Sequence, residues 1–269
     1  MVQIRGAHAL VTGGSSGIGL ATAVALATRG ARVTIWARGR ERLEAAAAVL
    51  TGNGAQARAD VVDVSDAAAV YAGVERAVAA YGPVDILVTS AGVAHPGHFL
   101  QIPPEVFREI IEVNYFGTLY PVQAVVPSMV ARGTGSLVAI SSGAALLGLF
   151  GFSAYSPAKY AVRGLFESLR DELRPHGIHV ACVYPPDVDT PMLAAENETK
   201  PEETAAISGT VKPIPADQVA GAVVKGIERR QFAIYPNRSM ALLGVAGPAL
   251  SPLLRRMIDD KVDSIQRQG

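Results

Sequence analysis

Tyr155 and Lys159 stand at i and i+4 in the run Tyr155-Ser156-Pro157-Ala158-Lys159, with Ser142 upstream of them. Side chains at that spacing share one face of a helix. An ammonium beside a phenol favours the phenolate, so the pattern predicts a Tyr155 pKa lowered from about 10 toward working pH. A tyrosine tuned in that way can give or take a proton at a carbonyl or carbinol oxygen. Ser142 closes the apolar run Leu137-Val138-Ala139-Ile140. It therefore projects from a strand end, where its hydroxyl can hold the same oxygen. Together the three suit carbonyl reduction or alcohol oxidation. A tyrosine and a lysine sharing an exposed helix face would look the same, so the elements around them decide the meaning.

The first such element lies near the N-terminus. Ala9-Leu10-Val11-Thr12 reads as a short buried strand, followed by Gly13-Gly14-Ser15-Ser16-Gly17-Ile18-Gly19 and an alanine-rich helix through Ala27. A glycine turn between strand and helix lets the backbone approach a diphosphate, and the helix N-terminus offers free N–H groups to it. The spacing Gly13-x-x-x-Gly17-x-Gly19 differs from the common G-x-G-x-x-G form, but the strand–turn–helix context is the one dinucleotide binding requires. The next strand, Arg32 to Ala37, runs into Arg38-Gly39-Arg40-Glu41-Arg42. No acid ends it to accept from a ribose 2′-hydroxyl. Arg38 and Arg42 suit a 2′-phosphate instead, which predicts NADP(H) over NAD(H).

Strand and helix patterns alternate along the chain. Strands are expected near 8–12, 32–37, 57–62, 84–89, 135–140, 178–184 and 232–235, and helices near 17–29, 40–50, 66–81, 104–130, 154–175 and 215–229. This is an α/β chain with a doubly wound Rossmann fold: a seven-stranded, mostly parallel sheet with helices on both faces. Residues 1–238 form one catalytic domain. Within it, residues 191–214 have no steady period and read as a substrate lid, with a plain surface insertion as the alternative. Residues 239–269 form a tail in which Met240 to Leu254 is almost wholly apolar and Arg255-Arg256 follow. Its Gly and Pro residues interrupt helix formation and it is short for a membrane span. Three readings stand for it: a membrane-interface segment, a contact with substrate or a partner subunit, or ordinary core.

Composition narrows the class. With 269 residues, 49% of them hydrophobic, the chain can bury a sizeable core. Lys+Arg and Asp+Glu are each 24, so no basic field marks a nucleic-acid binder. The lone Cys182 lies in an apolar run and reads as core. The five histidines do not cluster, so no metal site is expected. No N-terminal signal or long apolar span is evident. A cytoplasmic protein is expected, with peripheral contact to the cytoplasmic face of a membrane as a possibility.

In order along the chain, these motifs resemble the short-chain dehydrogenase/reductase family over roughly residues 5–235. Thr12-Gly13-x-x-x-Gly17-x-Gly19 matches its cofactor turn. Asp63-Val64 matches the pair that contacts adenine, and Ser90-Ala91-Gly92 stands where the family has Asn-Ala-Gly. Asn114, Ser142, Tyr155 and Lys159 match its catalytic tetrad. Pro185-Pro186-Asp187-Val188-Asp189-Thr190-Pro191 matches the segment that closes over the nicotinamide. The resemblance implies that Gly13, Ser15, Ser16, Gly17, Ile18 and Gly19 hold the diphosphate, and that Pro185, Val188 and Thr190 hold the carboxamide. It also implies that Tyr155 and Lys159 touch the cofactor, and that Asn114 connects Lys159 to water. Thr89-Ser90 replaces the usual Asn-Asn, so other hydrogen bonds must hold that strand end. Pro186 replaces a glycine and stiffens the segment beside it.

Within the family, Leu147-Gly148-Leu149-Phe150-Gly151-Phe152-Ser153-Ala154-Tyr155 and Tyr184-Pro185-Pro186-Asp187 resemble 3-ketodihydrosphingosine (3-dehydrosphinganine) reductases. So does Glu196-Asn197-x-Thr199-Lys200-Pro201-Glu202. That resemblance implies NADPH-dependent reduction of the 3-keto group of a long-chain sphingoid base, and a homodimer or homotetramer. The residues alone imply only a carbonyl substrate. A reductase for a steroid, an acyl thioester or a xenobiotic ketone remains open, as does a non-catalytic dinucleotide sensor or scaffold.

Overall fold

The computed structural model describes residues 3–209 and 212–267. Strand β1 (His8–Thr12) is buried along its whole length. Its side chains alternate: Ala9 and Val11 face one core and Leu10 the other. Burial on both faces is what a central parallel strand requires. The other strands of this sheet are β2 (Arg32–Ala37), β3 (Ala57–Val61), β4 (Ile86–Thr89), β5 (Gly135–Ile140), β6 (Ile178–Val183) and β9 (Ala233–Ile234). They lie in the order β3-β2-β1-β4-β5-β6-β9, and every neighbouring pair is parallel. The sheet is thus wholly parallel. The final strand is shorter than its apolar run suggested.

Helices α1 (Gly17–Thr28), α2 (Arg40–Gly52) and α9 (Ala216–Arg229) cover one face through Leu26, Leu43, Leu50 and Val223. Helices α3 (Ala67–Tyr81), α5 (Gly117–Arg132) and α6 (Tyr155–Leu173) cover the other through Val70, Val125, Met129 and Phe166. The chain order reverses between β1 and β4. The crevice beyond the carboxyl ends of these two strands is where doubly wound sheets bind ligands.

Three stretches differ from their sequence patterns. The expected helix over 104–130 is broken into α4 (Pro104–Ile111), a π-helical turn (Glu112–Phe116) and α5. The Asn114 amide donates to the Ile110 carbonyl, and Thr118 Oγ1 donates to the Asn114 carbonyl. These side-chain bonds accommodate the extra residue that a π turn inserts.

Residues 191–214 are not structureless. They hold α7 (Pro191–Thr199) and α8 (Glu202–Ser208), and residues 210–211 lie outside the described part. The segment leaves from β7 (Val188–Asp189) and returns at β8 (Ile214–Pro215), which pair with each other and fasten its two ends together. Helix α7 buries no residue fully, so it carries no apolar stripe to reveal it.

The tail is one helix, α10 (Arg238–Gln266), with Pro248 and Pro252 inside it. The two prolines are a turn apart, so the carbonyls they leave free, those of Gly244 and Pro248, fall on one side of the helix. Gly247 is its one buried residue among those described, so the stretch is not ordinary core. Among the described residues no helix is long and apolar enough to cross a membrane.

Candidate active site

The turn after β1 is built for close approach. Gly13 has φ +67, and a Cβ there would lie 2.7 Å from the Ala91 backbone nitrogen. A Cβ at Gly19 would strike the Gly13 carbonyl. Gly17 has φ +52, and its missing Cβ would meet Thr190 Cγ2 at 3.0 Å. The turn therefore reaches from β4 on one side to the start of α7 on the other. Ser15, Ser16, Gly17 and Ile18 are half-buried around it. Ser16 is the N-cap of α1, yet its side chain makes no capping bond. The first N–H groups of the helix are left to an anion.

Thr12 closes the other side. Its hydroxyl oxygen accepts from the Ser90 and Ala91 amides at 3.1 Å each. These two bonds set the Ser90-Ala91-Gly92 backbone, while the buried Thr89 hydroxyl makes no hydrogen bond of its own.

At the end of β2, Arg38 and Arg42 are exposed, and no carboxylate of β2 faces the turn. Arg38 lies near Asp63. Burial alone would raise the Asp63 carboxyl, but hydrogen bonds from the Ser65 amide (3.0 Å) and hydroxyl (2.7 Å), with the Arg38 guanidinium, keep it below its ordinary value. The adjacent Val64 is buried against Gly117. A glycine cradle, an uncapped helix start and two guanidinium groups at the ribose end fit the diphosphate and 2′-phosphate of NADP(H).

The second cluster lies beyond β5. Lys159 is buried (5% exposed), and its Nζ donates to the Ile140 carbonyl at 3.1 Å. The Lys159 carbonyl in turn accepts from Ser141 Oγ at 3.1 Å. Nζ lies 5.5 Å from the centre of the Tyr155 ring, as the i, i+4 spacing requires. Ser142 Oγ accepts from the Ala144 amide at 3.1 Å, which leaves its own hydrogen free to donate. It is also hydrogen-bonded to the Tyr155 phenol.

Asn114 is fully buried on the π turn. Its Nδ2 donates to the Val93 and Ile110 carbonyls, both at 2.9 Å. A Cβ on Gly92 would lie 2.6 Å from Asn114 Oδ1 and 3.6 Å from Lys159 Nζ. Only glycine lets these three groups converge. Pro185 ties in the last segment, its carbonyl accepting from the Gly143 amide at 2.8 Å. Thr190 Oγ1 donates to the Val188 carbonyl (3.1 Å) and accepts from the Leu193 amide (3.3 Å), which starts α7. These contacts gather the turn after β1, Ser90 to Gly92, Asn114, Ser142, Tyr155, Lys159, Pro185 and Thr190 near the carboxyl ends of β1, β4, β5 and β6, while Arg38 follows β2 and Asp63 follows β3.

One expectation is reversed. Tyr155 is not tuned downward by its lysine. Burial raises its pKa above the ordinary phenol value, the charges of Glu196 and Asp187 add to that, and the Ser142 bond offsets only part. The lysine is the group that moves down: burial brings Lys159 to about 8. The phenol is thereby held as the neutral acid.

The segment after β6 adds Asp187, Glu196 and Lys200, which the sequence offered as marks of a resemblance and not as site residues. Glu196 and Lys200 share a face of α7 and its end, with Oε2 and Nζ 3.8 Å apart, and Asp187 Oδ2 lies 3.6 Å from the same Nζ. The acid–base i, i+4 spacing was visible in the sequence. Its proximity to Tyr155 was not. Among the described residues no group of side chains could hold a metal ion.

A family model for short chain dehydrogenases matches residues 7–201. The chain belongs to this family. It is an oxidoreductase of that family, acting on CH–OH groups. This short-chain dehydrogenase is 42% identical to a 3-dehydrosphinganine reductase of Danio rerio over 94% of its length and 77% of that protein's. It is also 42% identical to a 3-ketodihydrosphingosine reductase of Mus musculus over 86% of its length and 71% of that protein's. Among solved structures it superposes on an actinorhodin polyketide ketoreductase with NADPH (TM-score 0.81, 32% identity, 91% of this chain and 99% of that one). It also superposes on a short-chain dehydrogenase/reductase of Burkholderia phymatum in complex with NAD (TM-score 0.81, 25% identity, 98% and 97%).

A pH prediction comes from Lys159. With its pKa lowered to about 8 by burial, it carries its charge below that pH and loses it above. The kcat/KM for NADPH reports groups of the free enzyme. It is expected to be level below about pH 7 and to fall as pH rises through about 8. A profile that stays level well above that pH would contradict a charged Lys159 as a cofactor contact.

Proposed function

We propose that this chain reduces the 3-keto group of 3-ketodihydrosphingosine to dihydrosphingosine with NADPH, a step of sphingolipid synthesis. One observation carries the reading: the 42% identity to reductases named for that ketone, over most of the chain, coincides with a complete Ser142–Tyr155–Lys159–Asn114 cluster. A non-catalytic sensor has no need of a buried lysine beside a phenol at a sheet end.

NADPH, when bound, supplies the hydride. Gly13, Ser15, Ser16, Gly17, Ile18 and Gly19 would cradle its diphosphate, Arg38 and Arg42 its 2′-phosphate, and Asp63 and Val64 its adenine. Ser90, Ala91 and Gly92 would back its ribose, and Pro185, Val188 and Thr190 would hold its carboxamide.

The chain's own part is the handling of the ketone oxygen. The free hydrogen of Ser142 and the phenol of Tyr155 offer one donor each to that oxygen. As negative charge develops there, the phenol proton crosses to it and the alcohol forms. A phenol whose pKa is raised by burial is a protonated donor at neutral pH, which is the state reduction needs. The Lys159 ammonium steadies the phenolate left behind and would also bond the nicotinamide ribose. Asn114 then leads a replacement proton in from water.

A long alkyl chain needs an apolar path. Leu146, Leu147, Leu149 and Phe150 follow Ser142, and Met240 at the start of α10 lies 3.1 Å from where a Gly143 Cβ would be. The outer face of α10 exposes Leu242, Val245, Leu253 and Met257. In this reading α7 and α8 act as a substrate lid within a catalytic domain of residues 1–238. The inner side of α10 guides the substrate, and its outer side rests on a membrane surface, with Arg256 at the headgroups. Association into a homodimer or homotetramer through α4–α6 belongs to the same proposal.

Two measurements test this. NADPH consumption with 3-ketodihydrosphingosine in mixed micelles should exceed that with a short-chain ketone by at least about 100-fold in kcat/KM, since each buried methylene is worth about 0.8 kcal/mol. Activity on the short ketone alone would discard the substrate. Arg38→Ala should raise the KM for NADPH about 10-fold or more while changing that for NADH little. An equal effect on both would remove the phosphate contact.

A further inference from the structure

The ketone assigned above carries an ammonium on the carbon beside its carbonyl, and the lid holds a charge arrangement that this group would complete. Helix α7 begins at Thr190, against the cofactor turn, and brings Glu196 toward Tyr155. The Glu196 side chain is only 12% exposed and that of Lys200 only 4%. Lys200 makes its one close hydrogen bond to Asn197 Oδ1, at 3.1 Å. It stands 3.8 Å from Glu196 and 3.6 Å from Asp187. Two carboxylates share one ammonium, neither at hydrogen-bond distance, so the enclosed group carries a net negative charge beside the proton donor.

A carboxylate out of water is costly unless it is paired and hydrogen-bonded. Glu196 shows the shortfall. Burial, with Asp187 nearby, brings its pKa up to about 7, against the pull of Lys200. Asp187 is the less suited receiver, since its side chain is 32% exposed and water serves it. The charge of Glu196 reaches Tyr155 more strongly than that of Asp187 does. Glu196 is thus the less exposed of the two carboxylates whose charge reaches the phenol.

We propose that Glu196, steadied by Lys200, accepts the ammonium next to the substrate carbonyl and so selects amino ketones over plain ones. This rests on the sphingoid reading and adds a specificity residue to it. The Ser142–Tyr155 pair takes any ketone oxygen, whereas a second polar contact fixes which face of the ketone meets the hydride.

The test compares 3-ketodihydrosphingosine with its desamino analogue, the same chain bearing hydrogen in place of the amine, on the wild-type enzyme and on Glu196→Gln. Glutamine keeps the shape and removes the charge. The kcat/KM ratio of amino to desamino ketone is expected to drop by roughly 10- to 100-fold in the variant, as for loss of a charge-assisted bond. Taking a ratio cancels any general loss from a disturbed lid. A ratio unchanged by the substitution, with the wild type active on the amino ketone, would overturn the role of Glu196 and leave the sphingoid reading standing. A wild type inactive on the amino ketone would overturn both.

Discussion

The structure depends on one constraint: a buried lysine must be held beside a half-buried phenol at the carboxyl end of a parallel sheet. Taking an unpaired ammonium out of water costs several kcal/mol. Among the described residues Lys159 Nζ donates to the Ile140 carbonyl alone, and the remainder of the cost appears as a pKa lowered to about 8. The neighbouring phenol is pushed the other way. Other features follow from making room for this pair. Gly92 has no side chain because Asn114 and Lys159 occupy its space. The helix before α5 widens into a π turn so that Asn114 can bond two carbonyls at once. Thr12 fastens the end of β4, which holds Gly92 where it is needed.

The cofactor turn, the proton-donating cluster and the lid are one connected construction. Gly17 touches Thr190, Thr190 caps α7, and α7 carries Glu196. The start of α7 is thereby packed against the turn after β1. Helix α8 is held from three sides: Thr204 Oγ1 donates to the Phe150 carbonyl, His98 faces Glu203, and Lys261 of α10 donates to the Ala206 carbonyl. Arg255 of α10 donates to the Gly148 carbonyl on the loop between Ser142 and Tyr155. The tail helix thus ties α8 and the loop between Ser142 and Tyr155 together.

Much of this was legible in the sequence because it depends on local pattern. Buried parallel strands read as continuous apolar runs, and β1, β5 and β6 do so plainly. Glycines that cannot bear a Cβ, such as Gly13 and Gly19, fall at a fixed spacing. What was not legible depends on contacts between distant segments. Helix α7 lacks an apolar face, so its segment read as irregular. The π turn needs the Asn114–Ile110 bond, which no periodicity reports. Pro248 and Pro252 argued against a helix that tertiary contacts of Arg255, Lys261 and Met240 hold in place. The direction of the Tyr155 shift was misjudged for the same reason. The nearby lysine is visible in sequence, whereas the loss of water around the phenol and the Glu196 charge arrive from the fold.

The central claim is that Tyr155 donates the proton while the crevice around it holds NADPH independently. Its most direct test measures NADPH affinity by calorimetry and ketone reduction in the same preparation of Tyr155→Phe. Affinity is expected to stay within about threefold of wild type, and turnover to fall by about 10²- to 10⁴-fold, the usual worth of a positioned general acid. Turnover retained within about tenfold would contradict the account.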